Sequence, residues 1–343
     1  MNPPSVSVTM PVRNGEATLP DALQSLQEQD LGAFEIVVVD HASTDATSTI
    51  LREAASEDPR IQVHRCDGSF VEAANLAWQC ARGDWIARMD GDDVADAKRL
   101  SSQLEFLREH PHLDACGTLV RIRKRGKTIQ DSLPADGGYE RYEVWVNSVQ
   151  TASEIETQRF IDSPVPNPSA MIRREVLVEL GGFHDPTWAE DYDFWLRFLE
   201  EGHQVAKVPE VLLDWYDSPT RSTRNIPRYE LEQFQLAKAH YLSRMASIRK
   251  SGAVVWGAGP IGKQMARFLR SRNVEVHYFV EVDPRKIGNS IAGSPVVAPS
   301  DLPELLSGSV LLAAVGVAGA RNEIREHAAN LGRREGIDFF CVA

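Results

Sequence analysis

Between residues 5 and 90 the hydrophobic period of the chain switches repeatedly from that of a strand to that of a helix and back. "SVSVTMPV" (5–12) sets Val6, Val8 and Met10 at alternate positions and stops near Pro11, the pattern of a strand. "TLPDALQSLQEQ" (18–29) reads as a helix with Pro20 in its first turn. "FEIVVVD" (34–40) is a continuous apolar run, the mark of a strand covered on both faces. "STDATSTILREAASED" (43–58) reads as a helix with Ser43, Thr44 and Asp45 as cap candidates. Then come a strand "IQVHRC" (61–66), a helix "FVEAANLAWQCA" (70–81) with Phe70, Ala74, Ala77 and Ala81 on one face, and a strand "GDWIARMD" (83–90). This alternation restricts the fold severely. Parallel strands need crossover connections, and here the crossovers are helices, so the expected class is α/β with a parallel sheet covered on both faces. Such sheets bind ligands beyond the carboxyl ends of their strands. Pro11–Asn14, Asp40–Ser43 and Asp90–Asp93 all fall at that edge.

The pattern loosens downstream. "DAKRLSSQLEFLREH" (96–110) is amphipathic through Leu100, Leu104 and Leu107, and residues 116–170 read as strands and irregular loops. A helix is expected over 189–201, ending at Gly202, and Pro227 opens a long helix over 228–248. A fresh βαβ unit starts at residue 250, so the expected division is a first domain 1–226, a connecting helix 227–250 and a second domain 251–343. The 37 basic and 49 acidic residues leave a formal charge of −12, which argues against a general nucleic-acid partner but not against an anionic substrate met through a cation. Cys66, Cys80, Cys116 and Cys341 show no CxxC spacing and read as buried thiols in a reducing compartment. No secretory pattern follows Met1, and the longest small-apolar run, "VLLAAVGVAGA" (310–320), is far short of a membrane span. The expectation is a cytoplasmic protein.

"RMDGDD" (88–93) ends the fourth strand in three carboxylates, Asp90, Asp92 and Asp93, separated only by a glycine. Two like unit charges about 4 Å apart repel by roughly 4 kcal/mol at an effective dielectric near ~20. Either water screens them, as in an ordinary solvated turn, or something positive sits among them. Oxygen-only ligands at this spacing suit a hard divalent cation, Mg²⁺ or Mn²⁺, which also takes phosphate oxygens.

The segments "VSVTMPVRNGEATLPDALQSLQEQ", "FEIVVVDHASTDAT", "ANLAWQCARGDWIARMDGDD" and "RLSSQLEFLREHP", with the later "WAEDYDFWLRF", resemble in order and spacing the family 2 glycosyltransferases over residues 4–225. The resemblance implies a GT-A nucleotide-diphospho-sugar transferase domain, followed here by a small Rossmann-like α/β domain. It implies that Pro11, Arg13, Asn14 and Glu16 line the nucleotide site after the first strand, and that Asp40 lies near the base or ribose. His41 stands where a second Asp is usual, which leaves uridine, thymidine and guanosine open, with a UDP-linked donor as the expectation. Asn75 follows Ala74 where the family often has Arg-Asn. Asp90 is expected to face the nucleotide, and Asp92 with Asp93 the metal. The acceptor implied is a glycan or lipid-linked glycan in surface polysaccharide synthesis, which would bring the protein to the inner membrane face.

In "TWAEDYDFWLRFLEEG" (187–202), Tyr192, Trp195, Leu196 and Leu199 form an apolar stripe. Thr187 and Glu190 fit a capping box, the bland reading of Glu190. Asp191 sits beside the stripe in the first turn, where a carboxylate stays ionised and can take a proton from an attacking hydroxyl. The resemblance assigns the Glu190–Asp191 pair to catalysis with Asp191 as the base of inverting transfer, and leaves Asp193 as an exposed helix residue. Arg221 and Arg224 flank hydroxyls in "DSPTRSTRN" (217–225), a basic loop suited to a diphosphate.

"VVWGAGPIGK" (254–263) supplies Gly257, Gly259 and Gly262 between a strand and a helix, with Glu281 after the next strand. The spacing is that of a dinucleotide fingerprint and fits NAD(P). No Tyr-x-x-x-Lys pair or other hydride-transfer residue follows, so a structural or assembly role is favoured over a second nucleotide site. Three functions compete: an inverting transferase, a non-catalytic nucleotide-sugar sensor that would need no base at Asp191, and an NAD-dependent sugar oxidoreductase lacking its catalytic residues.

Overall fold

The computed structural model describes residues 4–217, 226–302, 308–317 and 319–343. They form two compact units. The first holds residues 1–155, 165–186 and 193–225, the second 156–164, 187–192 and 226–343. The second unit thus takes in residues 156–164 and 187–192 besides the chain from 226 onward.

The first unit opens as the alternation requires: β1 (Val6–Val12), α1 (Leu19–Gln27), β2 (Phe34–His41), α2 (Thr47–Glu57), β3 (Ile61–Cys66), α3 (Phe70–Cys80) and β4 (Trp85–Arg88). It continues through β5 (Val94–Ala95), α4 (Arg99–Glu109), β6 (Ala115–Lys124), β7 (Leu133–Pro134), α5 (Gly137–Ser148), α6 (Ala152–Gln158), β8 (Met171–Arg173), α7 (Arg174–Glu179), α8 (Glu190–Glu200) and β9 (Val205–Asp217). The sheet order is β3-β2-β1-β4-β8-β6-β9-β5, with β7 on β6. β1 pairs in parallel with both β2 and β4, and β2 with β3. β8 then runs antiparallel to β4 and to β6. Every residue of β1 and β2 is buried, as continuous apolar runs in a sheet covered on both faces demand. Val6, Val8, Met10, Ile36 and Val38 pack on one side with Leu19, Leu23 and Leu51, while Val37 and Ile86 pack with Trp78, Phe194 and Trp195.

Two local readings change. Residues 116–170 contain helices α5 and α6. "GGYERYEVWVNS" hides its helix behind two glycines and a run of aromatic and β-branched residues, which favour strands. Ser43 and Thr44 precede α2, which begins at Thr47, and serve the neighbouring loop described below, whereas Asp45 Oδ1 accepts from Thr47 N (3.0 Å) and so does meet the helix start.

In the second unit β10 (Ala253–Trp256), β11 (Val276–Val280), β12 (Ser290–Ile291), β13 (Ser294–Val297), β14 (Val310–Ala313) and β15 (Phe339–Cys341) line up as β12-β13-β11-β10-β14-β15. All neighbours are parallel except β12 with β13, and the order reverses at β10, as in doubly wound sheets. The expected helix 228–248 is instead a 3₁₀ turn Pro227–Tyr229, a helix Leu231–Arg244 and a short helix Ala246–Ser251. Segments 156–164 and 187–192 join this unit through specific contacts. Lys238 Nζ donates to the carbonyls of Ile161 (2.8 Å) and Val342 (3.1 Å), and the Tyr192 ring stacks on Phe234 at 5.2 Å. Cys116 and Cys341 are buried, but Cys66 and Cys80 are only half-buried, and all four are free thiols. No helix among the described residues is long and apolar enough to cross a membrane.

Candidate active site

The carboxyl ends of β1 and β2 are tied together by their loops. Asn14 N donates to Ser43 Oγ (3.0 Å), Gly15 N to Thr47 Oγ1 (2.8 Å) and Glu16 N to Asp45 Oδ2 (3.1 Å). In return Thr44 N donates to Asn14 Oδ1 (2.9 Å) and Ala46 N to Glu16 Oε2 (3.0 Å). Asn14 sits at φ 51°, a left-handed conformation that Asn tolerates better than most residues. Pro11 is not in this loop: it is buried within β1, opposite Val39. Arg13 is exposed. Asn14 and Glu16 thus hold the rim of the sheet in shape. Asp40 is buried; burial pushes its carboxyl up, but hydrogen bonds from Ser43 N (3.0 Å) and Ser48 Oγ, with Arg65 nearby, outweigh this and hold it below the usual range. His41 directs Nε2 at the Gly68 carbonyl (2.8 Å), so that nitrogen carries the proton and links the end of β2 to the loop before α3. Asn75 donates to the Phe183 carbonyl (2.8 Å) and accepts from Phe183 N and Trp78 Nε1 (both 2.9 Å). Its position on α3 is as expected, but its amide is committed to the turn after α7.

Asp90, Asp92 and Asp93 converge. One carboxylate oxygen from each lies within 4.8 Å of the others. Gly91 is small for a reason: a Cβ there would stand 2.9 Å from Val12 Cγ2, and Thr18 Oγ1 donates to its carbonyl at 2.8 Å. Gly91→Ala is expected to cost about 1–3 kcal/mol of stability by overpacking against Val12. A denaturation midpoint unchanged from the parent would contradict that. Asp93 is fully buried, and its Oδ1 accepts from Tyr216 N on β9 at 2.9 Å.

The positive charge demanded by this cluster is partly built in. Arg88 is buried at the end of β4 and donates to Asp90 Oδ1 (2.8 Å), the Met89 carbonyl (2.9 Å) and the Thr9 carbonyl (3.3 Å). Arg99, wholly buried at the start of α4, donates to the Arg88 carbonyl (2.5 Å) and to Gln103 Oε1 (3.2 Å). Burial lowers the Arg99 pKa to about 10, against the attraction of Cys116, Asp93 and Asp90, so it stays charged at neutral pH. Arg125 donates to the Asp92 carbonyl (3.4 Å) and lies 5.1 Å above the Tyr216 ring. These arginines escape a sequence reading, because only the fold turns the outlying Arg99 and Arg125 toward residues 88–93. The one available signal was Arg88 itself, a charge inside an otherwise apolar strand. Three carboxylates with oxygens in this arrangement match the donor set a hard divalent cation takes.

The acidic pair at the start of α8 belongs to the second unit. α8 begins at Glu190, so Thr187 lies outside it and the capping-box reading fails. Glu190 is buried, and its carboxylate accepts from Tyr229 OH on both oxygens (2.8 and 2.9 Å) and from Arg228 (3.3 Å). Burial, then the charges of Glu190 and Asp191, push the Tyr229 phenol far up, which keeps its proton on. Tyr229→Phe is expected to destabilise the chain by about 1–3 kcal/mol, read as a lowered melting temperature, because a buried carboxylate loses its donor. An unshifted melting temperature would contradict this. Asp191 is half-buried with Oδ1 accepting from Tyr192 N at 2.7 Å. Further along α8, in the first unit, Asp193 is not exposed as expected. It is 4% accessible and paired with Arg197 (3.3 Å), which itself caps the Leu180 and Gly182 carbonyls. The reason is that burial of α8 extends beyond its apolar stripe, with Phe194 and Phe198 buried as fully as Trp195. Arg221 and Arg224 lie outside the described residues.

At the glycine-rich turn Gly257 has φ 119°, and a Cβ on Gly262 would fall 1.8 Å from the Gly257 carbonyl, so these two glycines serve helix–strand packing. Gly259 faces open space. Glu281 accepts from Lys286 Nζ (2.8 Å) and from Val282 N (2.9 Å), which closes the turn after β11.

Residues 7–181 match the family described as Glycosyl transferase family 2. EpsE of Bacillus subtilis strain 168, which carries a glycosyltransferase name, is 30% identical over 219 residues, covering 61% of this chain and 72% of that protein. The amylovoran biosynthesis glycosyltransferase AmsE of Erwinia amylovora is 24% identical over 212 residues, 61% of this chain and 74% of that protein. Among solved structures, S. aureus TarS 1–349 in complex with UDP-GlcNAc superposes with a TM-score of 0.53 at 19% identity, covering 77% of this chain and 71% of that one. The shared fold is GT-A.

Proposed function

The chain belongs to the family 2 glycosyltransferases, and from that premise we propose a metal-dependent, inverting transfer of a sugar from a nucleoside-diphosphate donor to a glycan or lipid-linked acceptor. The observation that carries this reading is the convergence of Asp90, Asp92 and Asp93 at the carboxyl edge of the parallel strands. The donor is UDP-linked. The setting is surface polysaccharide synthesis at the cytoplasmic face of the membrane, in keeping with the amylovoran name of one relative and the UDP-GlcNAc complex of a protein of the same fold.

Asp92 and Asp93, with Asp90, would hold Mg²⁺ or Mn²⁺, which when bound supplies Lewis-acid neutralisation of the charge growing on the leaving diphosphate. The remaining chemistry falls to the chain. The acceptor oxygen attacks the anomeric carbon opposite the diphosphate, the bond from that carbon to the diphosphate oxygen breaks, and configuration inverts. Asp191 takes the proton of the acceptor hydroxyl. Both Glu190 carboxylate oxygens are already engaged, accepting from Tyr229 OH and Arg228, which leaves the proton transfer to its neighbour. Residues 251–343 act as a structural or assembly domain rather than as a site for NAD(P).

The test mixes the protein with Mn²⁺ and a panel of UDP-, GDP- and dTDP-sugars and measures nucleotide released with and without acceptors. Acceptor-dependent release from a UDP-sugar is expected. Binding without release would instead make the protein a nucleotide-sugar sensor.

A further inference from the structure

Asn167 opens a 3₁₀ turn, Asn167–Ser169, that leads into β8. β8 runs antiparallel to β4 with Met171 opposite Ala87, and Arg88 N donates to the Ala170 carbonyl at 2.8 Å. Followed back from Ala170, the chain therefore passes beyond the carboxyl end of β4, the end at which Asp90, Asp92 and Asp93 gather. The turn is held from several directions. Ser169 donates to the Pro166 carbonyl through both N (2.9 Å) and Oγ (2.7 Å), and Ala170 N donates to the Asn167 carbonyl (3.1 Å). Gln103 Nε2 donates to the Ser169 carbonyl at 2.9 Å, and the same Gln103 accepts from Arg99. Pro166 and Pro168 restrict the backbone on either side of Asn167. In this fixed turn Asn167 is only 8% accessible, yet its Oδ1 is buried without a hydrogen-bond partner among the described residues. Buried polar atoms are nearly always paired, and an unpaired one costs stability. A side chain kept here for packing alone would serve better without its polar atoms.

A carboxamide is neutral and carries a donor and an acceptor together. The oxygens of a diphosphate only accept, so they give Oδ1 nothing. A hydroxyl both gives and takes a hydrogen bond, and it pairs with the amide whichever end of the group faces inward. The terminal torsion of Asn is soft, which lets the carboxamide turn toward a ligand. On the donor reading given above, the diphosphate lies against the carboxylates, and the sugar bonded to it brings its hydroxyls to the same edge. We propose that Asn167 reads a hydroxyl of the donor sugar, which makes it a specificity-determining residue for the sugar rather than for the nucleotide. The inference rests on that donor reading.

The experiment titrates the full chain in Mn²⁺ with UDP, UDP-glucose, UDP-galactose, UDP-N-acetylglucosamine and UDP-xylose. The last three each differ from UDP-glucose at a single ring position. The parent is expected to bind these sugar nucleotides with distinct affinities. Asn167→Leu keeps the branched skeleton and removes the polar atoms. It is expected to bind UDP as the parent does, to bind the parent's preferred sugar nucleotide about 10–100-fold more weakly, and to narrow the spread among the four. Asn167→Ala is expected to do the same, and decides the matter should Asn167→Leu not fold. Variants that weaken UDP as much as the UDP-sugars would make Asn167 part of the scaffold and overturn the proposal. A loss confined to the KM of the acceptor, with donor binding intact, overturns it in favour of an acceptor hydroxyl. A parent that holds all four sugar nucleotides equally also overturns it. A parent that binds none of them fails the donor reading and this proposal together, whereas a discriminating parent with equally discriminating variants fails this proposal alone.

Discussion

Asp191→Asn is expected to fold as the parent does, bind nucleotide with unchanged affinity, and lose sugar transfer by about 10²–10⁴-fold, the usual contribution of a positioned general base. The substitution is nearly isosteric. Asp191 is half-buried at the start of α8, and its Oδ1 accepts the Tyr192 N–H at 2.7 Å, a bond that an amide oxygen keeps. What the amide cannot do is accept the acceptor's proton. The neighbouring Glu190→Gln makes the contrast. It leaves Arg228 facing a neutral group in a buried setting, so its damage should appear in the melting temperature as well as in transfer. An Asp191→Asn protein with near-parental transfer would remove Asp191 from the mechanism.

Asp92→Asn is the second large effect. Loss of a carboxylate from the trio removes charge that the cation needs, and cation support of a leaving diphosphate is worth several kcal/mol, on the order of 10²-fold or more in transfer. Asp92 is the cleaner probe, because Asp93 is fully buried and holds Tyr216 N, so that changing it also disturbs β9. Folding of Asp92→Asn should be unaffected, and the loss should appear in donor turnover at every Mn²⁺ concentration that saturates the parent. Full turnover in Asp92→Asn would place the cation elsewhere.

The first half of the fold was legible because its signals are local. Alternation in "SVSVTMPV", the unbroken run "FEIVVVD" and the helical faces between them lie within a few residues of each element, and β1 to β4 appear where those patterns put them. The convergence of three loops on one edge followed from topology alone. What could not be read was whatever depends on contacts between distant residues. Nothing local shows that Arg99 turns inward beneath Asp90–Asp93, or that Tyr229 closes on Glu190. The same holds for polar residues placed at the right edge and then spent on the scaffold. Asn14, Glu16 and His41 stand at the strand ends, as expected, yet their hydrogen bonds run to neighbouring loops. Helix α5 was missed because its residues favour strands, and only packing of Val146 into the core and of Tyr142 and Trp145 against it decides the matter.

The account turns on what occupies the corner formed by Asp90, Asp92 and Asp93. Crystals grown with Mn²⁺ and UDP, measured for anomalous scattering at the manganese edge, address it directly. The account requires a manganese peak in coordination distance of Asp92 and Asp93 with a diphosphate oxygen as a further ligand. A nucleotide bound with no metal at that corner, or a manganese peak held by other residues, would contradict it.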